Sequence, residues 1–427
     1  VTAAPRLGWY GDDFTGATDT LANLARRGKR ALLFLRQPAA AELAAAGPLD
    51  ALGIAGATRA MTAAEIAAEL APVGGFFRGL GVDLLHYKIC STFDSAPDRG
   101  SIGAALAALR PAFPHPWLPI LGGQPDLGRY CLFGNLFAAA GTGGEVFRLD
   151  RHPTMRAHPV TPMQEADLRR HLAAQGLAPL AHLPFTAQGP GLEAAFAAAL
   201  AGEHRAMLLD VARDEDLPPL GRLLWRQAAR APLLVAGASG VAQALAAAWP
   251  GAEAAAPLPE PPLGPAEGPV LVMVGSLSPI SRAQAEAATG FQRLAADPAR
   301  LLSDAAHRAT LRAEALRRLR GGQHLLIATD PPGSTPPPAR DVALATAEFL
   351  AGLLAEAPVR RLGIAGGDTS SLATQALDLW GLSYRTSLAP GVTLCRAHSR
   401  DARLDGMELM LKGGQMGPPD LFARLAA

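Results

Sequence analysis

Short apolar runs that end in glycine and small polar residues, each followed by a helical pattern, recur along this chain. Leu7–Tyr10 leads into Gly11-Asp12-Asp13, and Gly16–Arg27 continues at helical spacing with Gly28 as a stop. Pro232–Ala236 leads into Gly237-Ala238-Ser239-Gly240 and a helix predicted over Val241–Trp249. Val270–Val274 leads into Gly275-Ser276, after which Ser278 and Pro279 read as N-cap and first-turn proline. Leu362–Ala365 leads into Gly366-Gly367-Asp368-Thr369-Ser370, with a helix predicted over Leu372–Trp380. Continuous apolar strands alternating with helices predict buried parallel strands. The expected fold class is α/β: two domains, each with a mostly parallel sheet flanked by helices. In Pro250–Pro269 proline recurs and periodicity vanishes, so this segment reads as a linker between a domain over 1–249 and one over 270–427. A linker of this kind implies domain closure. The proline cluster Pro331–Pro338 reads as a loop inside the second domain.

Composition narrows the function classes. Lys and Arg total 39 and Asp and Glu 38 in 427 residues, a formal charge of +1, which provides no field for nucleic acid or an anionic membrane. Hydrophobic residues at 49% against 18% charged exclude a disordered chain. Val1–Trp9 lacks the basic-then-apolar signature of a signal peptide and no apolar run reaches bilayer length, so a cytoplasmic location is expected. Cys90, Cys131 and Cys395 form no CxxC pattern, which argues against a disulfide framework or a zinc site. An alanine-rich helical surface is compatible with a homodimer.

Ligands of open α/β sheets collect at the carboxyl ends of strands, where glycine turns let backbone amides approach an anion. Gly275-Ser276, Gly366–Ser370 and Lys412–Gly417 are three such turns in the second domain and together favour a nucleotide site. No G-x-x-x-x-G-K-[ST] is present, and no G-x-G-x-x-G follows a strand. In the first domain, Asp12-Asp13 can accept a hydroxyl proton, bind a cation or cap the helix. Lys88, followed by Ile89, Cys90 and Ser91, suits a small carboxylate or polyol, and Arg59 can clamp a carboxylate with two bonds. Cys90 reads as a small buried hydrophobe. His152 and His158, in a proline-rich loop, have poor metal spacing and read as structural or substrate-lining; no metal ligands are assigned.

These motifs together resemble the four-carbon acid sugar kinase family. The likeness runs through Gly11-Asp12-Asp13-Phe14-Thr15-Gly16-Ala17, Lys88–Ser95, His158–Met163, Gly366–Ser370 and Leu411–Phe422, nearly the whole chain in order. It implies phosphorylation of a small acid sugar by ATP with Mg2+, an N-terminal domain for the acid and a C-terminal domain for the nucleotide. Carried over by position, it implies catalytic roles at Asp12 and Asp13 and substrate contacts at Asp12, Arg59, Lys88, Ile89, Cys90 and Ser91. Nucleotide contacts are implied at Ser276, Gly366, Gly367, Asp368, Thr369, Gly413 and Gly414. Asp368 stands where many members have glutamate, and Leu127–Phe137 departs from the commoner family wording. The Lys-x-Cys-Ser-Thr-Phe-Asp-Ser form is more similar to 3-oxo-tetronate kinases, and a 3-oxo-isoapionate kinase fits the divergence equally well. A nucleotide-independent sugar-acid binding or regulatory protein is the alternative, and a sugar-acid dehydrogenase is disfavoured by the missing dinucleotide fingerprint.

Overall fold

A computed structural model describes residues 4–141, 143–157, 160–204, 206–251, 258–276, 278–329 and 338–427. His158, and with it the His158-Pro159 motif, lies outside the described residues, as do 252–257 of the linker and 331–337 of the proline cluster. The chain divides into two compact units, Val1–Pro259 and Glu260–Ala427.

The first unit contains β1 (Leu7–Gly11), β2 (Ala31–Phe34), β3 (Ala51–Ala55), β4 (Leu84–Lys88), β5 (Pro119–Gly122), β6 (Arg129–Leu132), β7 (Asn135–Ala139), β8 (Val146–Arg148), β9 (Leu180–Leu183), β10 (Ala206–Asp210) and β11 (Leu233–Gly237). Its main sheet runs β2-β3-β1-β4-β11-β5-β10-β9, parallel throughout. Strands β1, β3, β4, β5, β10 and β11 are buried at every position, which is why they read as apolar runs rather than alternating ones. The antiparallel β6-β7-β8 sheet is a second element that periodicity did not reveal.

Two strand glycines allow this sheet to pack. A Cβ on Gly8 would stand 2.5 Å from the Phe77 ring, and one on Gly53 would stand 2.0 Å from the Trp9 indole. Phe77 belongs to the helix Ala63–Leu80, which therefore lies flat on β1.

The second unit contains β12 (Val270–Val274), β13 (Gln292–Ala296), β14 (Leu325–Thr329), β15 (Arg361–Ala365), β16 (Leu379–Ala389), β17 (Val392–Ser399) and β18 (Glu408–Lys412). Their order is β13-β14-β12-β15-β18-β17-β16, parallel from β13 to β18 and antiparallel from β18 to β16. The α/β class with mostly parallel sheets holds for both units.

The helix predicted over Leu372–Trp380 is displaced. It spans Gly367–Ala376, and Trp380 lies in β16. Gly366, at φ +122°, turns the chain straight from β15 into the helix, a conformation open to glycine and costly for other residues. Among the described residues no helix is long and apolar enough to cross a membrane.

Gly53→Ala should cost about 1–3 kcal/mol by overpacking the Trp9 contact. The measurement is the urea midpoint; an unchanged midpoint would show that the indole moves aside freely.

Candidate active site

Parallel register brings the first unit's chemistry to one edge. Gly11 stands beside Ala55 of β3 and Lys88 of β4, and Lys88 stands beside Gly237 of β11. The residues just beyond these positions, Asp12, Asp13, Arg59 and Ile89, therefore emerge together at the carboxyl ends of neighbouring strands.

Asp13 caps the helix Phe14–Ala25, accepting from the Gly16 amide at 2.8 Å and from Thr15 Oγ1 at 2.7 Å. Asp13 thus caps the helix and also belongs to this charged cluster. Arg59 lies in a single 3-10 turn, Thr58–Ala60, and its amide donates to the Asp12 carbonyl at 3.1 Å. Its guanidinium donates to both Asp12 oxygens, Nε to Oδ2 at 3.1 Å and Nη2 to Oδ1 at 2.8 Å, and through Nη1 to Asp13 Oδ2 at 2.9 Å. The carboxylate this arginine clamps is the chain's own. Lys88, only 3% exposed, donates from Nζ to the Ile89 carbonyl at 2.6 Å. A Cβ on Gly16 would fall 2.5 Å from Asp13 Oδ1 and 2.6 Å from Lys88 Nζ, so only glycine lets the cap, the lysine and the helix start share this space.

The two carboxylates are pushed apart. Burial raises Asp12 above the usual carboxylate range; Arg59 opposes that and the neighbouring Asp13 charge adds to it. Burial also acts on Asp13, but Arg59, Lys88 and the bonds from Thr15 and Gly16 outweigh it and hold this carboxyl low. Adjacent acids in one cluster are thus set in different electrostatic states.

The loop after β4 is rigidly held. Ile89 is buried, donates its amide to the Gly237 carbonyl at 3.0 Å and presents only backbone. Cys90 is half-buried, and burial pushes its thiol up to about 11, so it is no nucleophile at neutral pH. Thr92 Oγ1 donates to Asp94 Oδ1 at 2.6 Å, and Phe93 sits at φ +56°. Ser95 Oγ donates to the Phe93 carbonyl at 2.8 Å, pairs with His171 Nε2 at 2.8 Å and accepts from Gln175 Nε2 at 2.9 Å. Ser91, half-buried, sits at the start of this bend. His152 is buried with its Nδ1 accepting from the Thr154 and Met155 amides at 3.2 Å, a structural role. Among the described residues no cluster of three metal-ligating side chains occurs.

In the second unit, register aligns Val274 of β12 with Ala365 of β15, and Ala365 with Lys412 of β18. The three glycine turns that follow therefore touch. The Gly275 amide donates to the Ala365 carbonyl and the Gly366 amide to the Lys412 carbonyl, both at 2.9 Å. A Cβ would fall 2.1 Å from Thr369 Oγ1 at Gly275, 3.2 Å from the Ser276 amide at Gly366, and 2.6 Å from Ser276 Oγ at Gly414. Around Gly367 nothing lies within 4 Å of an added Cβ, so the start of the helix Gly367–Ala376 faces open space with Asp368 exposed in its first turn. Close-packed glycine backbone beside an open helix N-terminus fits a nucleotide's phosphates. Gly413 and Gly414 complete the cradle: the Gly414 carbonyl accepts from Ser278 Oγ and, at 3.1 Å, from Ser281 Oγ.

Lys412 carries a role the motif reading passed over. It is fully buried at the last position of β18, with Nζ 2.8 Å from Ser281 Oγ and 3.5 Å from the Gly414 carbonyl. The signal that singled out Lys88, a lysine closing an apolar strand, was present here too.

A sugar-binding N-terminal domain family model matches residues 7–245, and a nucleotide-binding C-terminal domain model matches residues 271–422. The chain is 37% identical to a 3-oxo-isoapionate kinase of Paraburkholderia graminis, over 97% of this chain and 93% of that protein. It is 32% identical to a 3-oxo-tetronate kinase of Methylobacterium radiotolerans over 98% of both. The chain belongs to the acid sugar kinase family. A solved Salmonella typhimurium LT2 structure shares the fold with a TM-score of 0.76 and 26% identity over 98% of each chain. A Haemophilus influenzae structure does so at 0.71 and 24%, again over 98% of each.

Burial pushes Lys412 down to about 7 from the ordinary 10.5, with no carboxylate among the described residues to offset it. Between those values the unfolded chain holds a proton the folded chain has lost, so this residue makes stability rise with pH across that window. Lys412→Met should remove up to about 1.4 kcal/mol per pH unit of that rise, read as the urea midpoints of both proteins between about pH 7.5 and about pH 9.5. Equal pH slopes in the two proteins would show that folded Lys412 keeps its proton.

Proposed function

We propose that this protein transfers the γ-phosphoryl group of ATP to a hydroxyl of a small oxo acid sugar of the 3-oxo-isoapionate or 3-oxo-tetronate kind. The observation that carries this reading is the split carboxylate pair at the end of β1, where burial raises Asp12 while Arg59 and Lys88 hold Asp13 low. The names of the full-length relatives support the same reaction class.

In this reading Asp12 accepts the proton of the attacking hydroxyl. The oxygen attacks the γ-phosphorus, the bond to the β,γ-bridging oxygen breaks, and ADP leaves. Phosphoryl transfer is largely positioning and charge stabilisation. Arg59 fixes the Asp12 carboxylate so that its remaining lone pairs face the hydroxyl, and Lys88 balances the buried negative charge. Ser91 and the backbone of Ile89 and Cys90 line the acid sugar. Ser276, Gly366, Gly367, Thr369, Gly413 and Gly414 hold the phosphates through amides and hydroxyls. Mg2+, carried by the phosphates with Asp368 as its protein carboxylate, would neutralise their charge.

The direct test is ADP release with Mg-ATP across threonate, erythronate, the 3-oxo-tetronates and 3-oxo-isoapionate. Turnover with an oxo acid is the expected result; ATP binding without turnover on any acid would overturn the reading. Asp12→Asn should lower kcat by about 10²–10⁴-fold, with KM for ATP changing by less than about threefold. Asp13→Asn keeps a capping side chain and should lower kcat less. Equal losses, or a larger one at Asp13, would move the base away from Asp12. Because the base must be ionised, activity should fall on the acid side, at a pH above the ordinary aspartate range.

A further inference from the structure

Two other arginines drawn in from solvent are matched to carboxylates. Arg361, 2% exposed, donates from Nε to Glu408 Oε2 at 2.7 Å, and Arg59 grips Asp12 and Asp13. Arg129 differs. It opens β6, is 9% exposed, and its Nη1 donates to the carbonyls of Leu127 at 2.7 Å, Ala139 at 3.3 Å and Gly128 at 3.4 Å. Its Nε is buried without a hydrogen-bond partner, and among the described residues no carboxylate forms an ion pair with it. A guanidinium taken out of water with no carboxylate in direct contact is expensive, and a bound anion lowers that cost.

The position of this charge supplies the anion's identity. Cys90 and Asp94, on the loop after β4, lie within its electrostatic reach, and Asp94 Oδ1 already accepts from Thr92. The Gln124 amide donates to the Arg129 carbonyl at 2.8 Å, tying the hairpin to the residue just past β5 at the carboxyl edge of the sheet. Meanwhile the cluster beside β1 is electrically closed, with Arg59 and Lys88 set against Asp12 and Asp13. An acid sugar whose hydroxyl approaches Asp12 meets no net positive charge there.

We propose that Arg129 binds the carboxylate of the acid sugar and makes the enzyme selective for acids over neutral sugars. The inference deepens the kinase reading and rests on its choice of an acid sugar as ligand. Erythrulose is the matching neutral probe, since it carries a hydroxymethyl group where 3-oxo-tetronate carries its carboxylate.

The experiment compares 3-oxo-tetronate with erythrulose in wild type and Arg129→Gln, by turnover and by calorimetric binding. Arg129→Gln should raise KM or Kd for 3-oxo-tetronate about 10- to 100-fold, the loss expected for one charged hydrogen-bonding partner. KM for ATP and the constants for erythrulose should stay near wild type, and Arg129→Lys should recover part of the loss. A merely structural role would weaken both ligands together, so an unchanged ratio of acid to erythrulose in folded Arg129→Gln overturns the proposal. Should Arg129→Gln fail to fold, a wild-type crystal structure with 3-oxo-tetronate decides: carboxylate oxygens on the Arg129 guanidinium support it, and oxygens on Arg59 or Lys88 refute it. Binding of 3-oxo-tetronate without phosphorylation would overturn the kinase reading and leave Arg129 to be judged by Kd. No binding of 3-oxo-tetronate to wild type would overturn the proposal.

Discussion

The N-terminal site depends on the grip of Arg59 on two adjacent carboxylates. Asp12 and Asp13 are buried side by side at the end of one strand, where their mutual repulsion and lost hydration would each drive protonation. A planar guanidinium spans both, with Nε and Nη2 on Asp12 and Nη1 on Asp13. A lysine in that place has one point of charge and could not fix both acids at once. The surrounding sequence follows from this geometry. Gly16 leaves room for Asp13 and Lys88, and Gly100, at φ +60°, lies so close to the Arg59 carbonyl that an added Cβ would fall 2.5 Å from it.

The two units place a lysine at the last position of a strand under opposite conditions. Lys88 stands among two carboxylates, and its half of the chemistry is charge-balanced, suited to a neutral hydroxyl and a moving proton. Among the described residues Lys412 has no carboxylate near it, and burial weakens its charge. Its polar contacts are the Ser281 hydroxyl and the Gly414 carbonyl, which also accepts from Ser278 and Ser281. In the proposed reading, an environment that withholds negative charge in this way suits the phosphates of a nucleotide. The difference follows from the residues one turn away and not from the lysines themselves.

Strand ends were legible because they depend on local rules. Continuous apolar runs closing on glycine placed β1, β11, β12 and β15 to within a residue or two, and parallel register then gathered the turns. The start of the helix Gly367–Ala376 was hidden, since Gly366-Gly367 carries no capping signal and its φ is a property of the folded turn. Which charge meets which was also hidden. Arg59 is far from Asp12 in the chain, and no spacing rule could say that its fork closes on the protein's own acids. The β6-β7-β8 sheet escaped because its strands are short and Arg129, Tyr130 and Asn135 break the apolar pattern. No spacing rule singles out Arg129; its burial with an unpartnered Nε and no ion-paired carboxylate among the described residues distinguishes it.

That placement separates two tasks physically. The proton acceptor of the proposed reading stands at the end of a strand of the central parallel sheet, where a change of side chain disturbs buried charges on three neighbouring strands. The cation assigned to the acid's carboxylate stands on a small antiparallel hairpin, attached to the sheet through Gln124 and through the Asp210 carboxylate, which accepts from Cys131 Sγ at 3.2 Å and from the Gly134 amide at 3.1 Å. Leu127–Phe137, the stretch that departs from the commoner wording of the family, is this hairpin. In the proposed reading, a change in this hairpin alters the acid sugar that is bound, while the buried acid pair just past β1 keeps the phosphoryl-transfer chemistry.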